Sequence, residues 1–382
     1  MRLTQLALTS AALVLAGCGS DHTSPGSKAL PGYDLVLLHT LGGAEEGPDA
    51  LSDIRGIVVD GQGRILVLDY ATQQVEMFDS TGAHLRTIGR KGGGPGEMAR
   101  ANGLVRAPDG SLWINDPGNN RFTVFDAEGA YLRSIPLNIT SFGFIWDAWF
   151  DADSALYEPI RVRQDTTWTE RLRRFRNGGT TVDTLPITCE GMIPRRTRED
   201  NFIFEYKEGM TVMPIPFAPA GMRLFDRQGH AWCGMSSRYH LRRVSIFGGD
   251  TLELRGTRQP QPVTPTDLDS VKARIRQSIS TFHGQDPDWA RIPSAKPVIG
   301  RAVADDSGRI WINPITADSN QIWEIFSPAG VPLATVHSPV VLSRWHPMVL
   351  RGEQVVGVTR DSDEVLVIVS GRLQRRSASA GN

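Results

Sequence analysis

Arginine is the residue through which this sequence could do chemistry. Of its 41 basic residues only five are lysine (28, 91, 207, 272 and 296), and the rest are arginine. The 42 acidic groups bring the net charge to -1. A guanidinium presents paired, planar donors that fit carboxylates and phosphates, so arginines held together where water is scarce point to anion recognition. Base composition of the coding sequence can account for the excess, so position has to carry the argument. Arg55, Arg301 and Arg344 fall where a repeating pattern can bring them together, with Asn102 at the matching place of another unit. Asp116 opens a loop, 116–121, on the same side. These five residues are the candidate ligand site, with Trp146 and Trp345 beside them. A structural role competes with this reading, because buried arginines need partners and Asp53 and Asp147 are at hand.

Other chemistries find less support. The eight histidines (22, 39, 84, 230, 240, 283, 337 and 346) never fall in metal-ligand spacing. Gly92-Gly93-Gly94-Pro95-Gly96 suggests a phosphate cradle, but Lys91 precedes the glycines and a strand follows them, where such a loop needs a helix. Acidic turns at 60–63, 109–110, 151–153 and 305–308 lack the residue order of a calcium loop and read as hairpin turns. A Gly-x-Ser-x-Gly elbow is absent. No metal ligands and no cofactor are therefore expected, with a divalent cation in a channel as the open alternative. A net charge of -1 gives no bulk attraction to nucleic acid.

The elements that would position the arginines repeat along the chain. From Ile54 to Glu97 four short apolar runs alternate with turns, two of them ending in Gly63 and Gly82, the pattern of an antiparallel meander. The first turn recurs at Gly110, Asp153, Gly229, Gly308 and Gly352, in steps of 47, 43, 76, 79 and 44 residues. Three of those steps have the length of one four-stranded blade. Trp113, Trp232 and Trp311 stand at one point of the second strand. Six units make an all-β, six-bladed β-propeller. Counting eight residues back from each first turn gives Arg55, Asn102, Ile145, Gly221, Gly300 and Arg344, where the innermost strands begin around the channel.

The two ends should share a blade. Leu37 to Gly42 matches His84 to Gly89 at an offset of 47, so residues 33 to 41 are a fourth strand without a blade of their own. The last unit has three strands, at 345–350, 353–360 and 364–370. Pairing them leaves no free edge. The two long steps carry insertions. Residues 188 to 216 read as an extended excursion. The second insertion, about 264–290, holds a helix over 264–283, with Thr264 as N-cap, Pro265 in the first turn and Asp267 as capping carboxylate. Its apolar stripe (Leu268, Val271, Ile275, Ile279, Phe282) is expected to pack on the outside or rim of the propeller.

Residues 1–17 read as a signal peptide: Arg2, an apolar run, then Leu15-Ala16-Gly17-Cys18. This ending resembles the lipobox of bacterial lipoproteins, which implies lipid on Cys18. Residues 18–32 are a polar tether, 33–376 the propeller and 377–382 a tail. Gly19 follows the cysteine, so the aspartate of the familiar inner-membrane retention signal is missing. Cys189 and Cys233 are the remaining thiols and are expected to pair in an oxidising envelope.

The runs Asp-Gly-x-Gly-x-Ile-x-Val-x-Asp, Val-x-x-Phe-Asp-x-x-Gly and Gly-Arg-x-Gly-x-Gly-Pro-Gly-Glu resemble NHL-type six-bladed propeller lipoproteins, over 33–136 and 298–340. The resemblance implies export to the cell envelope and leaves activity open, since such folds host many functions. The expectation is a monomeric, membrane-anchored platform whose channel mouth binds a protein partner or a small anionic ligand. The alternative is an envelope hydrolase or lyase working in the same mouth.

Overall fold

Short β-rich runs closed by Asp-Gly turns form six four-stranded antiparallel blades. The computed structural model describes residues 30–377 apart from 138–145, 165–166, 188, 190–191, 195–196, 208, 250, 283 and 318–320. Residues 1–29 with Cys18, and position 145, therefore lie outside the described residues. Blade 1 comprises Ile54–Val59, Ile65–Asp69, Gln74–Phe78 and His84–Ile88. The innermost strands of blades 2 to 6 are Gly103–Arg106, Trp149–Phe150, Gly221–Phe225, Ile299–Ala304 and Met348–Arg351. Three further strands follow in blades 2 to 5.

The ring closes through its ends. Gly32–Gly42 runs antiparallel to Leu366–Arg375, from Tyr33 opposite Arg375 to Gly42 opposite Val367, with a bulge between Leu37 and His39. The third strand of this blade reaches Arg375, five residues beyond its expected end at 370. Those extra residues pair with Tyr33 to Leu37. The terminal strand also pairs in parallel with Thr335 to His337 of blade 5, tying two blades into one sheet.

Apolar side chains fill the gaps between neighbouring blades. Leu68, Val75, Met77 and Ile88 of blade 1 meet Leu104, Leu112, Ile114 and Phe125 of blade 2. The acidic turns are capped by their own carboxylates. Asp60 Oδ1 accepts the N–H groups of Gln62 (2.8 Å) and Arg64 (3.0 Å), and Asp305 does the same for Ser307 and Arg309. Local bonds of this kind are why Asp opens such turns.

The first insertion departs from its expected irregular path. Asn201–Tyr206 and Gly209–Pro214 form a hairpin behind the short 3-10 turn Arg198–Asp200. The helix Pro265–Ser280 starts as expected, with reciprocal bonds between Thr264 and Asp267. Its stripe does not pack on the outside of the blades. Val271, Ile275 and Ile279 pack on Phe202, Phe204 and Ile215 of the hairpin, and Tyr206 stacks on Phe282 at 4.7 Å. A hairpin with an apolar face needs a partner layer, and the other insertion supplies it. Arg291 adds bonds to the carbonyls of Glu199 and Asn201. The two insertions thus fold as one cap.

Candidate functional site

A channel of about 2600 Å³ runs along the innermost strands. The strands begin at one mouth, and both insertions join blades at that end. Cap residues Ile215 to Ala218, Val271, Arg274 and Lys296 therefore line the same cavity as Arg55, Arg301 and Arg344.

The three arginines stand in different chemical states. Arg55 is braced: Nε and a terminal nitrogen donate to the two oxygens of Asp53, at 2.6 and 2.9 Å, and the guanidinium lies 4.8 Å over the Tyr70 ring. The Asp53 bond holds its pKa above the ordinary value. Arg301 donates to the carbonyl oxygens of Ser343 and of His346, the second at 3.0 Å. Burial lowers its pKa to about 10, with Asp147 opposing the shift. No carboxylate is bonded to it among the described residues. Arg344 is exposed to the lumen and makes no hydrogen bond or ion pair with them. Protein enclosing the lumen lowers its pKa, while lumen water limits the effect.

Asp147 completes the wall. It too is exposed to the lumen, and among the described residues it makes no hydrogen bond and no ion pair. Enclosure raises its pKa, with Arg301 opposing. Beside Arg344, Ser343 Oγ lies 2.7 Å from His346 Nδ1 and also accepts the N–H of Trp345 at 3.3 Å. Burial lowers the His346 pKa, and the charges of Asp53, Arg360, Arg301 and Arg55 act on it, so these groups converge on one mouth.

Two expected site residues belong elsewhere. Asn102 is 1% exposed and serves the frame: its Oδ1 accepts from Asn115 Nδ2 (2.8 Å), and its carbonyl accepts the Trp146 N–H (3.0 Å). Asp116 is fully buried and gathers Ala99 N–H (2.7 Å), Asn119 Nδ2 (2.8 Å), Arg121 Nε (3.2 Å) and Thr123 Oγ1 (3.1 Å). Arg121 in turn holds the Gly94 and Glu97 carbonyls of the glycine-rich connector. The physical reason is a bulge. In blade 1 the pairing skips Arg55, between Ile54 and Gly56. Blade 2 pairs from Gly103 to Arg106 without interruption, and Asn102 bonds straight to Asn115. The bulge leaves Arg55 out of the ladder, whereas Asn102, just ahead of Gly103, is tied to Asn115 by both backbone and side chain.

Cys189 and Cys233 are paired, with Cα atoms 5.9 Å apart, joining the root of the first insertion to blade 4. Among the described residues no group of three or more His, Cys, Asp or Glu is placed to hold a metal ion.

Comparison with known proteins agrees with this architecture. Residues 50–184 match the family model DUF5128, described as a 6-bladed beta-propeller. The chain is a six-bladed β-propeller. No curated protein matches it. A duf4221 family member from Bacteroides vulgatus superposes with a TM-score of 0.51 at 8% identity, over 90% of this chain and 99% of that one. Virginiamycin B lyase from Staphylococcus aureus gives 0.41 at 12% identity, over 90% and 88%. A gluconolactonase from Xanthomonas campestris gives 0.40 at 10% identity, over 89% of each. These likenesses concern the fold.

Proposed function

We propose that this propeller is an exported, lipid-anchored binding platform that captures an anionic group at the mouth formed by Arg301, Arg344 and the cap. One observation carries the reading. Arg344 stands in the channel with no partner among the described residues, next to an Arg301 whose bonds are spent on carbonyls. A guanidinium enclosed without a carboxylate is a site waiting for one. Export and anchoring rest on the sequence of residues 1–18, and Cys18→Ser should release the protein from the membrane fraction; unchanged fractionation would sink that part.

The site is tested by thermal shift of the soluble domain with acetate, succinate, benzoate and phosphate. At least one anion should raise the melting temperature of the parent, and Arg344→Ala should lose that rise without lowering the melting temperature itself. If no anion stabilises the parent, the site is wrong.

A hydrolase or lyase in the same mouth is favoured by the Ser343–His346 contact alone. That hydroxyl also caps its own turn at Trp345, which accounts for its position. Ester hydrolysis lost in Ser343→Ala would favour the enzyme.

A further inference from the structure

The turn that carries Arg344 is held from two sides before any ligand arrives. Arg301, on the innermost strand of blade 5, donates to the carbonyl oxygens of Ser343 and of His346, the second at 3.0 Å. The second strand of blade 6, Gln354–Arg360, takes the other side. There the Ser343 N–H donates to the Val358 carbonyl (2.7 Å), and Thr359 Oγ1 donates to the Val341 carbonyl (2.9 Å). Inside the turn, Ser343 Oγ accepts the Trp345 N–H and lies 2.7 Å from His346 Nδ1. None of these bonds uses the side chain of Arg344 or of Trp345. Trp345 is the most exposed large apolar side chain among the described residues, at 83%, whereas Trp113, Trp232 and Trp311 are buried in the blades. It lines the channel as Arg344 does, and its ring makes no aromatic, cation–π or indole N–H contact with the described residues.

A single exposed apolar residue is ordinary on a protein surface. Here the exposed ring is the sequence neighbour of an exposed, unpartnered guanidinium, on a turn whose backbone is already fixed. A turn held this way surrenders little freedom on binding, and a tryptophan offers a broad rigid face with only two side-chain torsions to order. The two side chains also set the size of what they hold. Their Cα atoms are about 3.8 Å apart, so an acid on the guanidinium and a group on the indole belong to one small unit. A flat ring matches the indole face, because aromatic pairs gain beyond the area that they cover. We infer that the ligand is an aromatic carboxylate, its acid group on the Arg344 fork and its ring against Trp345, with Arg301 as the residue that positions the turn. The inference rests on the anion reading of the same mouth and narrows it.

The full chain is titrated by calorimetry with acetate, hexanoate, phenylacetate, phenylacetamide and phosphate. Phenylacetate should bind about tenfold more tightly than acetate, the gain of one aromatic contact and the area it covers. Hexanoate carries an apolar chain without a ring and should fall clearly below phenylacetate. Phenylacetamide keeps the ring without the charge and should bind about tenfold more weakly than phenylacetate. Trp345→Ala should bring phenylacetate down to the level of acetate and leave acetate unchanged, while Trp345→Phe should keep most of the preference. Arg344→Ala should weaken both acids alike. If acetate and phenylacetate bind the parent equally, if hexanoate matches phenylacetate, or if only phosphate binds, the aromatic inference fails while the anion reading stands. A preference that survives Trp345→Ala puts the ring elsewhere and also overturns the inference. If neither these acids nor phosphate binds, both readings fail. The comparison of probes on the parent needs no variant, so a folding defect in Trp345→Ala leaves it decisive, with Trp345→Phe to locate the ring.

Discussion

Asp116→Ala is the sharpest test of which polar groups build the frame and which build the site. The carboxylate is fully buried and accepts from four donors on three segments: the connector before blade 2, the 3-10 turn Pro117–Asn119 with its Asn119 side chain, and the third strand. Removing it leaves the Arg121 guanidinium, 15% exposed, with carbonyls but no carboxylate, and leaves the Thr123 hydroxyl and the Ala99 N–H short of an acceptor. Breaking one side of a buried, hydrogen-bonded charge pair costs roughly 3–5 kcal/mol. With a urea slope near the upper end of about 1–3 kcal/mol per molar, the midpoint should fall by about 1–2 M at unchanged slope. Asp116→Asn keeps the shape but turns one acceptor oxygen into a donor facing donors, so it should recover little of the loss. Anion stabilisation of the folded fraction should persist in both variants. A midpoint within about 0.3 M of the parent, or an unchanged midpoint with lost anion binding, would return Asp116 to the ligand site and refute the argument.

The Cys189–Cys233 bridge closes 44 residues, for which chain entropy gives roughly 4 kcal/mol, so reduction or Cys233→Ser should lower stability by up to that amount. A soluble fragment lacking Cys18 should show no free thiol in its folded state; two titratable thiols would remove the bridge. Acid should loosen the cap before the blades. The Lys296 bond, then the Thr264 bonds, hold Asp267 well below its ordinary range, at about 2. A depressed carboxylate contributes stability above its unfolded pKa and loses it as pH falls through the folded value, here between about pH 4 and 2. Asp286, held at about 2 chiefly by Arg276, titrates in the same window beside Trp289. Trp289 fluorescence should therefore report an acid transition that Asp267→Asn reduces without abolishing; an unchanged transition would count against it.

Period and turn chemistry were enough to read the blades, because both act locally. Alternating apolar runs, Asp-x-x-Gly turns and a constant step leave a meander few other solutions, and the 47-residue offset of Leu37 to Gly42 exposed the shared blade. The cap was not legible as a unit. Thr264, Pro265 and Asp267 announce the helix, and Phe202 and Phe204 announce an apolar strand. Nothing local says that a stripe at 268–282 is the complement of a hairpin at 201–214. That pairing is decided by the ring, which brings the connector after blade 3 next to the connector after blade 4. Sequence pattern specifies which face is apolar, and tertiary geometry chooses what covers it.

The site was legible to the same degree, for the same reason. Counting back from the turn glycines assumes that every innermost strand keeps step, and a bulge breaks step by one residue. Pairing skips Arg55 in blade 1, and it skips Gly300 just before Arg301 in blade 5. In both blades the irregularity falls beside an arginine of the channel mouth. Blade 2 has no such skip at its innermost strand, and its residue at that place, Asn102, is absorbed into an Asn102–Asn115 bond inside the sheet. The channel arginines Arg55 and Arg301 stand where the repeat is imperfect, since a perfect ladder spends its polar groups on itself. Arg344 and Asp147 likewise sit ahead of innermost strands, before Met348 and before Trp149, where no ladder partner claims them. A repeat protein can thus keep one fold in six copies and still vary its chemistry through the residues that enter each blade.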